Sequence, residues 1–488
     1  FSRVNKTSEH VNNIMIFSAG NSGVLTKRAF YNSSEFKILG FIDDDKFKIG
    51  KNLDGVTIFE LGIKLNNFII DSDISKVIIS TEKLSVNRQA FLFKYFQDLN
   101  IQVLKLPPVK SWINGVPNIY KLKEIKIEDL LNRGIIKIDN KKNKLLYSGK
   151  SILVTGAAGS IGSEIIRQVI KFKPARIILL DNSETPMFNI KEELDLISHK
   201  IEVIYYIDSV CDEKAINKIF SLHKIDIVFH AAAYKHVNMM EANPRAAIIN
   251  NVYGTKLIID FSIEYNVTKF ILISSDKAVN PTNVMGASKR ICELYLASKI
   301  SNLKNNTKFI TTRFGNVLGS NGSVVPIFEK QIENGGPITI THPDIVRYFM
   351  TIPEASQLVL EAGSMGKGGE IFIFDMGDPV KIVDLATNMV VQKGLKVGID
   401  INIEFTGLRP GEKLYEELLN NSSIMKATHH PKIMITTVPS ENFHKISIQI
   451  DEIINISNYK DSNEIVKVLK RLVPEYVSEN SPYKKLDK

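Results

Sequence analysis

Ile152-Leu153-Val154-Thr155-Gly156-Ala157-Ala158-Gly159-Ser160-Ile161-Gly162 reads as a short strand that breaks into a glycine loop and reopens as a helix. The glycines allow a tight turn, bring backbone N–H groups close to a bound pyrophosphate, and let the helix pack against the strand. The helix N-terminus then turns its positive dipole end toward the phosphates. Asp181 ends the next expected strand, where a carboxylate can accept hydrogen bonds from ribose hydroxyls. A dinucleotide site is expected, with Thr155, Gly156, Gly159, Ser160, Ile161, Gly162 and Asp181 as its residues. The carboxylate favours NAD, although its neighbours can still admit the extra phosphate of NADP.

Downstream, strands are expected at Ile152–Thr155, Ile177–Leu180, Val203–Tyr206, Ile227–His230, Phe270–Ser274 and Phe309–Arg313, two mononucleotide-binding halves in series. Beyond Gly315 the pattern becomes irregular, with loops at Gly319–Gly322 and Gly335–Pro337, and a small cap rich in helix is expected. Glu464–Val477 has apolar residues at helical spacing and reads as a terminal docking helix. Upstream lies a second alternation of strand and helix. Ile14–Phe17 is a strand, Ser18–Gly23 a turn into a helix beginning near Val24, and Ile38–Ile42 a strand ending in Asp43-Asp44-Asp45; Val77–Ser80 is a further strand. Ser18 occupies the place of the first glycine there, which favours a scaffold or regulatory role over nucleotide binding.

The expected class is α/β, with two Rossmann-like, doubly wound parallel-sheet domains. Residues 1–107 form the first, 108–149 a connector with a helix at 127–131 and a basic turn at Lys141-Lys142-Asn143-Lys144, 150–440 the catalytic domain with its cap, and 441–488 a helical tail. The 488 residues are too many for one ordinary domain, and 44% hydrophobic content suffices for more than one core. The net charge of +9 comes from lysines scattered among acids, without the arginine-rich or aromatic-interleaved stripe of a nucleic-acid binder. Cys211 and Cys292 have no spacing for zinc or a disulfide framework, which fits a reducing compartment. No apolar run approaches the ~18 residues of a membrane span, and residues 1–10 are too polar for a signal peptide. The chain begins with Phe1, so a soluble fragment with an upstream part removed is expected.

Chemistry concentrates at Ser274-Ser275-Asp276-Lys277, followed by Met285-Gly286-Ala287-Ser288-Lys289. An acid beside a candidate base at a strand end suits a reaction needing both proton donation and proton abstraction, and water elimination is the natural candidate. Lys289 lies one helical turn after Met285 on the same face.

With these motifs stand His230-Ala231-Ala232-Ala233-Tyr234-Lys235-His236-Val237, Phe314-Gly315-Asn316-Val317-Leu318-Gly319-Ser320, Thr341-His342-Pro343-Asp344, Arg347-Tyr348-Phe349-Met350-Thr351 and Arg409-Pro410-Gly411-Glu412-Lys413. Together they make a chain that resembles the polysaccharide-biosynthesis nucleotide-sugar 4,6-dehydratases, extended short-chain dehydrogenases acting on UDP-N-acetylglucosamine. It is most similar to the large membrane-associated members. The resemblance implies a hydro-lyase in which NAD(P)+ takes a hydride from C4, the C5 proton and C6 hydroxyl are lost, and the hydride returns to C6. Asp276 is then the acid at the C6 oxygen and Lys277 the base at C5, which requires a depressed lysine pKa. Lys289 holds the nicotinamide ribose, and Met285 stands where the usual signature has tyrosine. A thioether cannot accept the C4 hydroxyl proton. Ser275 can relay that proton, or Asp276 or Lys277 can act twice.

The resemblance adds Ser209, Val210, Ala231 and Ala232 to the cofactor site, and Lys235, Asn316, Arg347, Arg409 and Glu412 to the substrate site. It further implies a homo-oligomer at the cytoplasmic face of a bacterial inner membrane, retention at C5 with a D-xylo product, and a role in glycan or glycoprotein sugar synthesis. No metal is expected. The alternatives are a C5-inverting dehydratase, a nucleotide-sugar epimerase and a non-catalytic module sensing NAD or a nucleotide sugar.

Overall fold

The computed structural model describes residues 11–31, 33, 35–81, 84–106, 123–124, 136, 138–197, 201–302, 306–417, 425–436 and 443–487. The helix expected at 127–131 lies outside them. The chain divides into two compact units, one of Phe1–Ile135 with Phe328–Thr339 and Val383–Glu404, the other of Ile136–Ile327, Ile340–Ile382 and Phe405–Lys488. Both carry doubly wound parallel sheets, the fold class read from the sequence.

In the first unit, β1 (Asn12–Phe17), β2 (Phe36–Ile42), β3 (Asn52–Leu53), β4 (Val56–Phe59), β5 (Ile74–Ile79), β6 (Gln102–Lys105) and β7 (Lys123–Glu124) form one sheet in the order β3-β4-β2-β1-β5-β6-β7. Strand alternation sends Met15 and Phe17 into one core and Ile14 and Ile16 toward the opposite face. The first helix spans Asn21–Ala29, starting ahead of the expected Val24. Ser18 takes the left-handed turn at φ 90°, and a Cβ on Gly23 would lie 1.9 Å from the Ser18 carbonyl oxygen. The glycine is therefore required for the helix to close onto β1.

In the second unit, β8 (Ser151–Thr155), β9 (Arg176–Asp181), β10 (Glu202–Ile207), β11 (Ile227–His230), β12 (Lys269–Ile273) and β13 (Lys308–Arg313) are parallel, in the order β10-β9-β8-β11-β12-β13. Leu153, Phe270 and Leu272 enter the core on one face, and Ile152, Val154, Ile271 and Ile273 the core on the other. Burial on both faces is why these strands read as continuous apolar runs.

The region after Gly315 is not a cap alone. The helix Ile352–Met365, with a Thr351/Glu354 capping box, packs into the second core, and Ile371–Phe374 extends the sheet parallel to β13. Ile433–Thr436 then adds antiparallel to Ile371–Phe374. All four residues of Ile371–Phe374 are buried, as in a strand covered on both faces.

The expected basic turn at residues 141–144 is instead part of a helix, Asn140–Tyr147. Asp139 caps it by accepting the Lys141 and Lys142 N–H groups, each at 3.1 Å. At its far end Tyr147 is fully buried and donates to the Leu360 carbonyl at 2.8 Å. The tail forms two helices, Phe443–Ile456 and Ser462–Leu472, rather than one over 464–477. The second stops ahead of Pro474, whose ring disfavours helical backbone in the residue before it. Ile446, Ile450, Ile453, Ile465, Leu469 and Leu472 enter the first core of the catalytic sheet. Among the described residues no helix is long and apolar enough to cross a membrane.

Candidate active site

The glycine loop leaves β8 at Gly156, which sits at φ 64°. A Cβ there would lie 2.6 Å from the Ala232 nitrogen, and one on Gly162 would lie 2.2 Å from the Gly156 carbonyl oxygen. The helix Ser160–Val169 begins from Gly159 with no side-chain cap, so its first N–H groups stay available to an anion. Asp181 at the end of β9 accepts the Ala158 N–H at 3.1 Å and the Ser183 N–H at 3.0 Å. It fixes the loop and keeps lone pairs for ribose hydroxyls. Ser160 Oγ accepts the Asn321 N–H at 3.2 Å, drawing the loop at Gly319–Gly322 over the same helix end. Ser209 is turned into its own loop, accepting the Cys211 N–H at 3.1 Å, while Val210 is buried against Gly254. Ala231 and Ala232 form the wall that Gly156 approaches.

Beneath this loop, His230 bridges Thr155 Oγ1 (2.8 Å from Nδ1) and Thr255 Oγ1 (2.9 Å from Nε2), joining β8 and β11 to the helix Gly254–Glu264. Burial, reinforced by Lys289, pulls the His230 pKa down to about 3. The unfolded chain therefore holds a proton between about 6.5 and 3 that the folded chain lacks. The stability contributed by neutral His230 is complete above 6.5 and is lost as pH falls through that window. The expected slope is up to about 1.4 kcal/mol per pH unit. Urea midpoints measured across the window should fall less steeply for His230→Asn than for the parent.

Ser275, Asp276 and Lys277 leave β12 in a tight turn. Asp276 Oδ1 accepts from Ser275 Oγ (2.8 Å), the Lys277 N–H (2.9 Å) and Lys277 Nζ (3.1 Å). Asp276 Oδ2 is buried with no hydrogen-bond partner among the described residues, and lies 3.0 Å from where a Cβ on Gly315 would stand. Burial, with Glu416 adding to it, outweighs Lys277 and raises the Asp276 pKa. A side chain at Gly286 would meet the Lys277 carbonyl oxygen at 2.1 Å, so glycine there brings the helix Val284–Asn302 against the Asp276–Ala278 turn. That helix carries Met285 and Lys289, both buried. Burial depresses the Lys289 pKa, and its ammonium forms no hydrogen bond among the described residues. An uncapped helix end, a carboxylate at β9 and a buried lysine without a hydrogen bond among the described residues fit a dinucleotide's pyrophosphate, ribose and nicotinamide end.

Lys277 departs from the sequence expectation. Burial pulls its pKa down, but Asp276 and Glu416 together outweigh burial and the net direction is upward. Glu416 Oε1 lies 3.4 Å from Lys277 Nζ, and Asn316 Oδ1 accepts from the same ammonium at 3.3 Å. The expected depressed lysine is thus an ammonium held between two carboxylates.

Arg347 departs as well. Its guanidinium donates to the Val346, Leu414 and Lys413 carbonyls and to Glu412 Oε1, and lies 3.8 Å from Glu416. These contacts commit its donors to holding the 412–416 loop rather than reaching outward. Glu412 is similarly engaged, accepting from Arg347 and from the Arg409 N–H at 3.0 Å. Arg409 is exposed at the edge of that turn. Lys235 is also exposed along its length, yet its ammonium donates to Ser320 Oγ at 3.2 Å and enough of it is desolvated to lower its pKa.

Three contributors were missed in the sequence. Glu416 sits in an acidic run whose pairing with Lys277 no spacing reveals. Asn251, in the π-helical stretch Ile248–Tyr253, clasps Tyr234 by both backbone groups (2.7 and 3.0 Å) and Ser288 (3.0 Å), fixing the loop of Lys235. A polar pair in an apolar helix was its only signal. Glu293, fully buried, accepts from Ser274 (2.7 Å), Arg313 Nε (2.7 Å) and Arg290 (3.2 Å), tying the β12 end to the Val284–Asn302 helix.

Residues 152–438 match the family described as polysaccharide biosynthesis protein. The capsular polysaccharide biosynthesis protein CapD of Staphylococcus aureus is 42% identical over 468 residues, covering 94% of this chain and 76% of the relative. A UDP-glucose 4-epimerase of Rickettsia canadensis is 34% identical over 291 residues, covering 58% of this chain and 81% of the relative. Among solved structures, Pen from Bacillus thuringiensis is 35% identical with a TM-score of 0.55, covering 60% of this chain and 89% of that one. The glycine loop, the strand-end pair and the turn at Arg409–Lys413 all fall within the matched region, and the chain belongs to the polysaccharide biosynthesis protein family.

Proposed function

We propose that the chain dehydrates UDP-N-acetylglucosamine to a UDP-2-acetamido-2,6-dideoxy-4-keto-hexose with retention at C5, as a hydro-lyase using bound NAD. The coarser reading, a nucleotide-sugar-modifying enzyme of the short-chain dehydrogenase type, rests on the family and on the relatives above. The observation that carries the finer one is Asp276 Oδ2, a buried carboxyl oxygen without a hydrogen-bond partner among the described residues, beside a half-buried lysine. A carboxyl whose pKa is raised by burial is protonated where an ordinary aspartate is not, and can deliver that proton to a departing C6 oxygen.

Bound NAD would supply the site that accepts a hydride from C4 and returns it to C6. Ser160 and the backbone of the glycine loop would hold its pyrophosphate, Asp181 a ribose, and Lys289 the nicotinamide end. Lys277, at hydrogen-bond distance from Asp276, faces C5 in this reading. Ser275, whose hydroxyl donates to Asp276 Oδ1, links the turn to the acid and offers a path for the C4 hydroxyl proton in place of the tyrosine that Met285 replaces. Asn316 and Arg409 border the nucleotide half. Simple C4 epimerisation needs neither a protonated acid nor a base at C5, and the pairing of Asp276 with Lys277 weighs against it.

The reading is tested by incubating the purified chain with UDP-N-acetylglucosamine and NAD+, and following product by mass spectrometry and proton NMR. Loss of one water, a new C6 methyl doublet and ring couplings of the D-xylo sugar are expected. A product of unchanged mass with inverted C4 would replace it with epimerisation. Binding of NAD+ and nucleotide sugar without any product would replace it with the sensing role.

A further inference from the structure

Glu416 belongs to no part of the strand-end motif, yet it completes the charge arrangement there. Its side chain is 6% exposed, and its carboxylate faces three cations: Lys277 at 3.4 Å, Arg347 at 3.8 Å and Lys413 further along the same loop. On its other side Lys277 meets Asp276 Oδ1 at 3.1 Å. An ammonium between two carboxylates cannot abstract a proton from carbon until it has lost one of its own. Asp276 is unsuited to receive it, because the same reaction requires Asp276 to be a proton donor. Glu416 remains, and it is ionised: burial alone would raise its pKa, but Lys277 and Arg347 outweigh burial and lower it.

We propose, resting on the dehydratase reading above, that Glu416 is the proton partner of Lys277, accepting a proton from its ammonium so that the neutral amine can abstract the proton from C5. In that transfer an N–H bond of Lys277 breaks, an O–H bond forms on Glu416, and the lone pair left on Nζ takes the C5 proton. On the return, Lys277 gives a proton to C5 and recovers one from Glu416. No oxidant or reductant enters; the proton that Asp276 gives to the departing C6 oxygen is replaced by the one the C4 hydroxyl releases on oxidation, so the enzyme's proton count is restored. Once substrate has excluded water, a neutral amine–acid pair competes with the ion pair, because separated charges are costly in a dry site. Before that transfer, the charge on Glu416 adds to burial in raising the Asp276 pKa. One carboxylate thereby sets both the acid and the base, although it acts through its neighbours.

Glu416→Gln should lower kcat by about 10²-fold, within the range for loss of a general acid–base contribution, with KM changed less than about threefold. The remaining activity should rise with pH, as the lysine relieved of one carboxylate loses its proton to solvent; the parent should lack that rise. A C5-deuterated substrate should show a larger isotope effect with the variant, and Glu416→Asp should recover part of the rate. A Gln variant with the parent's kcat and pH profile overturns the proposal. So does one that is slow with an unchanged C5 isotope effect, no recovery at high pH and no rescue by Asp. Should Gln not fold, judged by its melting curve, the Asp variant's isotope effect and pH profile decide by the same criteria. A parent chain that yields no dehydrated product defeats the dehydratase reading itself, which separates the two failures.

Discussion

Asp276→Asn is expected to reduce water elimination by about 10²–10⁴-fold, the range for removing a positioned general acid. The amide oxygen can still accept from Ser275 and Lys277 where Oδ1 does now, so the turn has no reason to move. What is lost is the ionisable proton on the side of Oδ2, and the amide nitrogen cannot supply it to an alkoxide. Oxidation at C4 does not require that proton, so reduced cofactor, seen by its absorbance, should build up with the variant and substrate. In the parent, the acid works only while protonated. Its pKa is raised, chiefly by burial, and activity should therefore decline as pH rises through that value rather than near the ordinary carboxylate range. Melting temperature should not drop, because an aspartate whose folded pKa is raised contributes least to stability when ionised. An Asn variant within tenfold of the parent, with no accumulation of reduced cofactor, would remove Asp276 from the mechanism.

Truncation after residue 442 should abolish folding of the catalytic unit. The tail places Ile446, Ile450, Ile453, Ile465, Val466, Leu469, Leu472, Val473, Tyr476 and Tyr483 in the core on one face of the sheet. At roughly 1.5–3 kcal/mol for each buried side chain, even half of that total is comparable with the whole stability of a domain, about 5–15 kcal/mol. The tail also reaches the site. Glu479 exchanges backbone hydrogen bonds with Gly411 and Thr282, Asn480 bonds the Glu412 carbonyl, and Ser481 donates to Glu241, which in turn accepts the Val284 N–H at the start of the helix bearing Lys289. The measurement is far- and near-ultraviolet circular dichroism of the 1–442 chain, with Leu469→Ala as the milder case at about 2–5 kcal/mol. A 1–442 chain that melts cooperatively and turns over would show the tail to be dispensable.

Much of the architecture could be read directly because parallel strands buried on both faces leave long apolar runs. Glycine loops mark where a strand must turn sharply into a helix. Gly156 and Gly162 illustrate this: neither position tolerates a Cβ, since the backbone of the loop itself and of Ala231-Ala232 just after β11 already fills the space. The segment from Ile352 to Phe374 was misjudged as cap because one helix and one strand, isolated among loops, do not announce which sheet they join. The tail's first helix was hidden for a related reason: its isoleucines lean toward strand by themselves, and the helix is set by the partner surface they pack against.

By itself the sequence determined what is local: the strand-loop-helix that can hold a dinucleotide, the acid beside a lysine at a strand end, and the stretches that form the parallel strands. Only the tertiary structure decided the charge state of the site. Ionisation depends on burial and on every charge within a few ångströms, and those neighbours come from distant parts of the chain. Glu416 comes from a loop far away in sequence to join Asp276 against Lys277; the two carboxylates outweigh burial and Arg347, which act the other way, and raise the lysine pKa, while burial, with Glu416 adding to it, raises that of Asp276.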